Sequence, residues 1–307
     1  MLYQVFLGQP MYDEYLYNCS GTSPYTTRKF AVGAIYFGIG VISQFVYILV
    51  LATLYRIKSL FNLPCYKIMF FLGIADILCL TFCCVVFGLW HMSCLYVLLL
   101  AFDRVCELIA PIKCAFLFKG SYLKMLLSLP YFYFIYFTFF TKPTFFQPSI
   151  SAFLLNPNSE ITKNYPASYY TVEAYVFNNF FVMIFIGFSY CIICGKLFSQ
   201  SWKSTVKQTS ALVKRVTYQC LTVCTCHFIG CFLYVYIQYF PMPDFLNYVC
   251  HFAWIGNHSL PPFVYLLFNP SLRSEVLSLF FPKKFREISD LGTVNSLVVR
   301  PITVSAY

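Results

Sequence analysis

Apolar stretches of about twenty residues recur along this 307-residue chain, and short polar linkers separate them. A helix of about 20 apolar residues crosses the roughly 30 Å hydrocarbon core of a bilayer, so each stretch predicts a transmembrane helix. The chain is 60% apolar and only 10% charged, and its mean hydropathy is +0.70. A water-soluble core needs far less apolar material than this. The sequence therefore predicts an all-α membrane protein.

Two basic linkers fix the number of crossings. Residues 56–67 and 196–215 are both rich in Lys and Arg, and the positive-inside rule places both on the cytoplasmic side. An even number of crossings must separate them. Two come from the apolar stretches 125–146 and 172–197, so region 68–110 must cross out and back. This gives seven predicted transmembrane helices: 31–55, two arms within 68–110, 125–146, 172–197, 216–240 and 248–268.

The charge distribution predicts the orientation. With the N-terminus outside, 17 of the 21 Lys and Arg residues lie in inner segments. We therefore expect a multi-pass protein in contact with membrane lipid, its N-terminus outside and its C-terminus in the cytoplasm. The net charge of +10 is explained by these linkers and predicts no nucleic-acid partner.

The predicted organisation has four parts: an extracellular N-terminus (1–30), a seven-helix bundle (31–268), an amphipathic juxtamembrane helix (269–282) and a disordered cytoplasmic tail (283–307). The apolar residues of the juxtamembrane helix recur at helical spacing opposite Arg273 and Glu275, which is typical of a helix on the membrane surface. These residues are Leu272, Val276, Leu279 and Phe280.

The third helix is predicted to be short and to carry a charged pair at its inner end. Region 68–110 holds forty-three residues, just enough for two arms of about 20 residues and a turn near 87–91. Asp103 and Arg104 then lie in the last two turns of helix three, near the cytoplasmic interface. An alternative is that the pair only anchors the helix by extending its charges to the interface.

Polar residues inside the predicted spans must face the interior of the bundle. An ionisable group such as Asp76 at mid-membrane is too costly to face lipid. It either works in a polar network or is a protonated structural acid. Asn257 and His258 also need interior partners, and ordinary interhelical hydrogen bonds would satisfy them.

The sequence predicts no metal site, no cofactor and no enzymatic activity. Its four histidines are scattered among the spans without clustered carboxylates: His91, His227, His251 and His258. A transporter or channel remains an alternative, although the sequence shows a single deep acid and no internal repeat.

Four motifs resemble the nematode serpentine receptors of class T, a chemoreceptor family of the G-protein-coupled receptors. They are "YNCS" (17–20), "PCYKIMFFLGIADIL" (64–78), "LAFDRVCELI" (100–109) and "HSLPPFVYLLFNPSLR" (258–273). The resemblance implies a rhodopsin-like seven-helix architecture in the plasma membrane. It also implies a receptor that binds a small external molecule and activates a heterotrimeric G protein.

The resemblance assigns roles to several residues. Asp103 and Arg104 match the pair through which such receptors couple to the G protein. Asp76 matches the acid of the internal polar network, and Pro262 and Tyr265 match the Pro-x-x-Tyr of helix seven. It identifies neither the ligand nor the residues that bind it.

The chain departs from the family pattern between helices two and three. Residues 90–103 are too few for the first outer loop and the outer part of helix three, so the resemblance implies a deletion there. A non-functional truncated receptor, or an isoform that lacks an exon, is therefore an alternative to a working receptor.

A glycosylation sequon tests the predicted orientation. Asn18-Cys19-Ser20 lies in the predicted outer terminus and is used only if that terminus reaches the lumen; otherwise it is a chance sequon. We expect Asn18→Gln, expressed in eukaryotic cells, to migrate faster on a gel by the size of one glycan. Enzymatic deglycosylation of the wild-type protein is the control and should give the same mobility. A wild-type band that deglycosylation does not shift would contradict the prediction.

Overall fold

The computed structural model describes residues 30–82, 88–141, 145–147, 152–154, 172–202, 211–240 and 243–280. The predicted outer terminus with Asn18 and the predicted tail 283–307 lie outside the described residues. The described elements are α1 (Phe30–Arg56), α2 (Lys58–Phe61), α3 (Pro64–Phe82), α4 (Gly88–Ile109), α5 (Pro111–Cys114), α6 (Gly120–Phe139), β1 (Phe145–Gln147), β2 (Ala152–Leu154), α7 (Glu173–Trp202), α8 (Ala211–Tyr239), α9 (Asp244–Ser259), α10 (Pro261–Phe268) and α11 (Pro270–Phe280).

The hairpin expected between the first two basic linkers is formed by α3 and α4. These helices have 19 and 22 residues, which is about 28 and 33 Å at 1.5 Å per residue. Each is long enough for the hydrocarbon core, yet both are shorter than α1, α7 and α8, which have 27, 30 and 29 residues. Helix α4 is therefore shorter than α1, α7 and α8 but longer than α3 and α6, which have 19 and 20 residues.

Among the residues that the structure describes, four helices are, each on its own, long and apolar enough to cross a membrane: Ala31–Arg56, Pro64–Phe82, Glu173–Ser199 and Val213–Tyr236. The last helical segment before the surface helix is divided, because the chain breaks at Leu260 into α9 and α10, of 16 and 8 residues. Pro261 causes the break, since proline has no N–H and its ring clashes with the preceding turn.

Burial in the bundle is the reverse of that in a soluble protein. Large apolar side chains face outward, with Phe37 74% and Phe177 70% exposed, whereas Asp76, Asn257 and His258 are completely buried. A protein embedded in lipid needs this arrangement, because hydrocarbon solvates Phe but cannot satisfy a carboxylate or an imidazole.

A two-stranded hairpin lies between α6 and α7 and was not predicted. Strands β1 and β2 pair antiparallel, with Phe145 opposite Leu154, and β2 packs against α9. Strands of three residues are too short to show a two-residue periodicity in sequence, which is why the pattern predicted only a polar loop here.

The surface helix α11 is held in place by one asparagine. The Asn269 side-chain oxygen accepts a hydrogen bond from the Leu272 backbone N–H at 3.1 Å, and its Nδ2 donates to the Tyr66 hydroxyl at 2.8 Å. The first bond caps the helix N-terminus, and the second ties it to α3. Leu272 and Val276 are buried, while Leu279 and Phe280 are 46% and 51% exposed, as suits a helix lying on lipid.

Helices α4 and α6 approach each other very closely at the start of α4. A methyl group at Gly88 would overlap Thr138 Oγ1 and would lie 2.6 Å from the Phe134 carbonyl oxygen. Further along the interface the Tyr96 hydroxyl donates to the Leu127 carbonyl at 3.2 Å, next to Pro130, which interrupts the hydrogen bonding within α6. The shortened helix is thus packed firmly into the bundle.

Gly88→Ala tests this close approach. We expect the added methyl group to lower the free energy of unfolding by about 1–3 kcal/mol, because backbone atoms of α6 would have to move. Thermal unfolding of the purified protein in detergent micelles would measure the change. Gly187→Ala is the matched control, since its methyl group would lie 3.9 Å from Phe228, an ordinary contact. Equal unfolding midpoints for the two variants would contradict the predicted packing.

Candidate functional site: a buried carboxylate and an inner-end ion pair

A fully buried carboxylate, Asp76 in the middle of α3, accepts hydrogen bonds from three other helices. The Tyr47 hydroxyl of α1 donates to its Oδ2 at 2.6 Å, and the Ser93 hydroxyl of α4 donates to its Oδ1 at 2.9 Å. The third partner is His258 of α9, whose Nδ1 lies 2.8 Å from Oδ1. Four transmembrane helices therefore meet at one side chain.

The network sets the orientation of His258. A hydrogen bond joins its Nδ1 to Asp76 Oδ1: an ionised Asp76 accepts it from the imidazole N–H, and a protonated Asp76 donates it to the imidazole nitrogen. The ring is also held by Trp254, whose ring centroid lies 5.2 Å away at an interplanar angle of 70°. Interhelical hydrogen bonds in membranes contribute roughly 0.6 kcal/mol each, so the three together favour one mutual arrangement of α1, α3, α4 and α9.

The other residues predicted for this network lie nearby but are not hydrogen-bonded to Asp76. Asn257 packs against Gly230 of α8, and neither of its amide atoms has a hydrogen-bond partner within the described part of the chain. The Tyr265 hydroxyl is likewise buried without such a partner there. Pro262 is buried at the start of α10. The structure thus brings Asp76 and His258 together and leaves the remaining three as close neighbours.

Sequence reasoning missed Tyr47, Ser93 and His227. The His227 ring centroid lies 6.0 Å from that of His258, and its Nδ1 lies 3.2 Å from the Val223 carbonyl oxygen. The sequence indicates that a buried Asp76 needs hydrogen-bond donors. It does not indicate which residues these are, because the relative rotation of the helices decides which polar residues face Asp76.

The C-terminal end of α4 carries an ion pair between neighbouring residues. Arg104 Nε donates to Asp103 Oδ2 at 3.0 Å, and Nη2 donates to the same oxygen. Asp103 and Arg104 are only 4% and 5% exposed. A side chain that anchors a helix by reaching the interface keeps its charged group in water, so this burial does not fit the anchoring alternative.

The ion pair lines a cavity of about 310 Å³ at the end of the bundle that carries Arg104. We refer to this space as the inner cavity. It lies between the start of α3, the end of α4, α5 and the start of α8, and its lining includes Cys65, Asp103, Arg104, Cys106, Glu107, Cys114, Phe118, Lys119 and Val216. In the described ranges no group of three or more His, Cys, Asp or Glu residues is suited to a metal ion.

Seven helical segments around a polar centre correspond to the architecture of the G-protein-coupled receptors. The chain matches the family model described as serpentine type 7TM GPCR chemoreceptor Srt, over residues 1–89 and 81–289. The chain belongs to this family. No curated protein matches it. The predicted fold class and the predicted family are therefore confirmed.

The family match covers the chain in two ranges that overlap at 81–89, a stretch that includes the end of α3 and the first residues of α4. The deletion inferred from the short connection between helices two and three stays a prediction.

Asp76→Ala tests the contribution of the network. Removing the acceptor leaves three buried donors without a partner, and we expect the free energy of unfolding to fall by about 2 kcal/mol. Tyr47→Phe is the control, because it removes one bond and should cost about 0.6 kcal/mol. Chemical denaturation in mixed micelles would measure both. Equal losses for the two variants would show that Asp76 does not bind several helices at once.

Proposed function

We propose that this protein is a plasma-membrane chemoreceptor, with its N-terminus outside, that binds a small external molecule and activates a heterotrimeric G protein in the cytoplasm. The observation that carries the proposal is the buried Asp103–Arg104 pair on the wall of the inner cavity. Family membership supports the same function. The family is one of receptors, and we propose no enzymatic activity.

The ion pair would act as a latch within α4. In the observed packing Asp103 engages two of the five guanidinium donors of Arg104, at Nε and Nη2, and so holds the side chain against α4. If α8 moved away from α4, the inner cavity would widen and Arg104 could turn into it. The carbonyl groups at the C-terminus of a partner helix carry partial negative charge, and a guanidinium offers five donors to such groups. A G-protein helix inserted there would therefore favour the open packing.

The Asp76 network would connect an outer ligand to this latch. Ser93 and Arg104 both lie on α4, eleven residues or about 16 Å apart, so a shift of α4 reaches both. A ligand that prefers a different arrangement of α1, α4 and α9 would shift the population between two packings of the bundle. Its free energy of binding would have to differ between those packings.

A receptor that lost signalling through truncation is the second candidate. The match in two ranges that meet at 81–89 supports this candidate, because a deletion there would remove helix turns expected to border a ligand site. The first residues of α4, including Trp90 and His91, are nevertheless buried in the bundle. Such a receptor would reach the cell surface without driving nucleotide exchange, whereas we propose that exchange occurs.

Three variants of the ion pair test the proposal. We expect Asp103→Asn to raise the basal rate of nucleotide exchange on a G-protein heterotrimer, because it weakens the bonds that hold Arg104. Arg104→Ala should abolish exchange, and Arg104→Lys should retain part of it, since lysine keeps the charge without the fork of donors. Uptake of a labelled GTP analogue in membranes would be measured at matched surface expression. Wild-type exchange in Arg104→Ala would overturn the role of the arginine.

A further inference from the structure

Two cysteines stand next to each other on the wall of the inner cavity. Cys106 is in the last turn of α4 and is 6% exposed, whereas Cys114 ends α5 and is half-buried. Both side chains line the cavity, and Cys114 is a side-chain neighbour of Cys106 there. Neither has a part in the latch described above.

A break in the helix brings the two thiols together. Residues eight apart on a straight helix would lie about 12 Å apart. Here Ala110 leaves the helical conformation, with φ −141° and ψ 62°, and α5 starts at Pro111 in a new direction. The residue before a proline is driven out of the helical region by the proline ring. The local sequence Ala-Pro is thus what makes this pair.

We propose that Cys106 and Cys114 are a redox modification site that a peroxide converts into a reversible disulfide on the wall of the inner cavity. This inference rests on the proposed orientation, in which the cavity opens to the cytoplasm. Cytoplasmic disulfides are usually transient and serve redox sensing, which fits a partly accessible pair better than a structural bridge.

The two cysteines have different parts in the reaction. Cys114 is the more exposed of the two, so its thiol is the one that a peroxide reaches, and it reacts as the thiolate. That thiolate attacks one peroxide oxygen, the O–O bond breaks, and a sulfenic acid and hydroxide form; the hydroxide takes up the proton that the Cys114 thiol released. The Cys106 thiol then attacks the sulfenic sulfur, and the S–O bond breaks with loss of water. Two thiols and one hydrogen peroxide thus give one disulfide and two waters. A cytoplasmic dithiol reverses the bridge by exchange.

The bridge would alter coupling. It joins α5 to the end of α4 two residues from Arg104, and so fixes the wall against which a partner helix must fit. We therefore expect oxidation to lower nucleotide exchange severalfold.

The chain contains a matched control pair. Cys94 of α4 and Cys231 of α8 are also side-chain neighbours, but both are completely buried. If adjacency alone determined oxidation, this pair would react as well. We expect it to stay reduced, because a peroxide must first reach one thiol.

Peptide mapping of the full-length receptor in membranes tests the site. Membranes are treated with hydrogen peroxide, free thiols are blocked with N-ethylmaleimide, and the protein is digested with trypsin without reductant. Cleavage after Arg104, Lys113 and Lys119 places the two cysteines in separate peptides, 105–113 and 114–119. We expect these peptides to be recovered joined, and to separate on reduction.

Cys106→Ser and Cys114→Ser should each abolish the joined peptide, whereas Cys94→Ser should leave it unchanged. Recovery of both peptides with blocked free thiols, or of Cys114 as a sulfinic acid beside a free Cys106, would overturn the proposal.

Nucleotide exchange in the same membranes separates this proposal from the proposed function. Exchange that falls on oxidation in the wild type but not in Cys114→Ser supports control of coupling by the bridge. Equal exchange before and after the joined peptide forms overturns that control. A receptor that forms the bridge but gives no exchange even when reduced contradicts the proposed function and leaves the modification site intact.

Discussion

The bundle depends on the need of one buried carboxylate for hydrogen-bond donors. Asp76 is surrounded by low-dielectric material, where an unpaired charge would cost several kcal/mol. Tyr47, Ser93 and His258 satisfy it from three different helices. Because lipid provides no hydrophobic force that presses helices together, such polar contacts and close packing have to select the native arrangement. The carboxylate thus specifies the mutual rotation of four helices, rather than only their association.

Two further contacts fix the positions of other helices in the bundle. Gly88 allows the start of α4 to lie directly against α6. Asn269 secures the other side, since it caps α11 and binds Tyr66 of α3. These polar residues thus lie at helix crossings and helix ends, whereas large apolar side chains such as Phe37 and Phe177 face outward, toward the lipid.

The sequence predicts the architecture well because membrane topology depends on features that are read along the chain: the length of apolar stretches and the side on which basic linkers lie. The α3–α4 hairpin follows from these alone. Contacts that depend on helix rotation do not, which is why Asp76 was predicted to face inward while Tyr47 and Ser93 were not identified as its donors. The Cys106–Cys114 pair was missed for a related reason, since helical spacing places the two thiols far apart until Ala110 breaks the helix.

The double proline at the start of α10 affects the backbone of the network residues themselves. Pro261 and Pro262 have no N–H groups, so the carbonyls four residues earlier, those of Asn257 and His258, cannot receive helical hydrogen bonds. The backbone oxygen of the residue that binds Asp76 is therefore left as a spare acceptor. The two helices are instead joined through Leu260, whose N–H donates to the Gly256 carbonyl at 3.0 Å and whose own carbonyl accepts from the Val264 N–H at 3.1 Å.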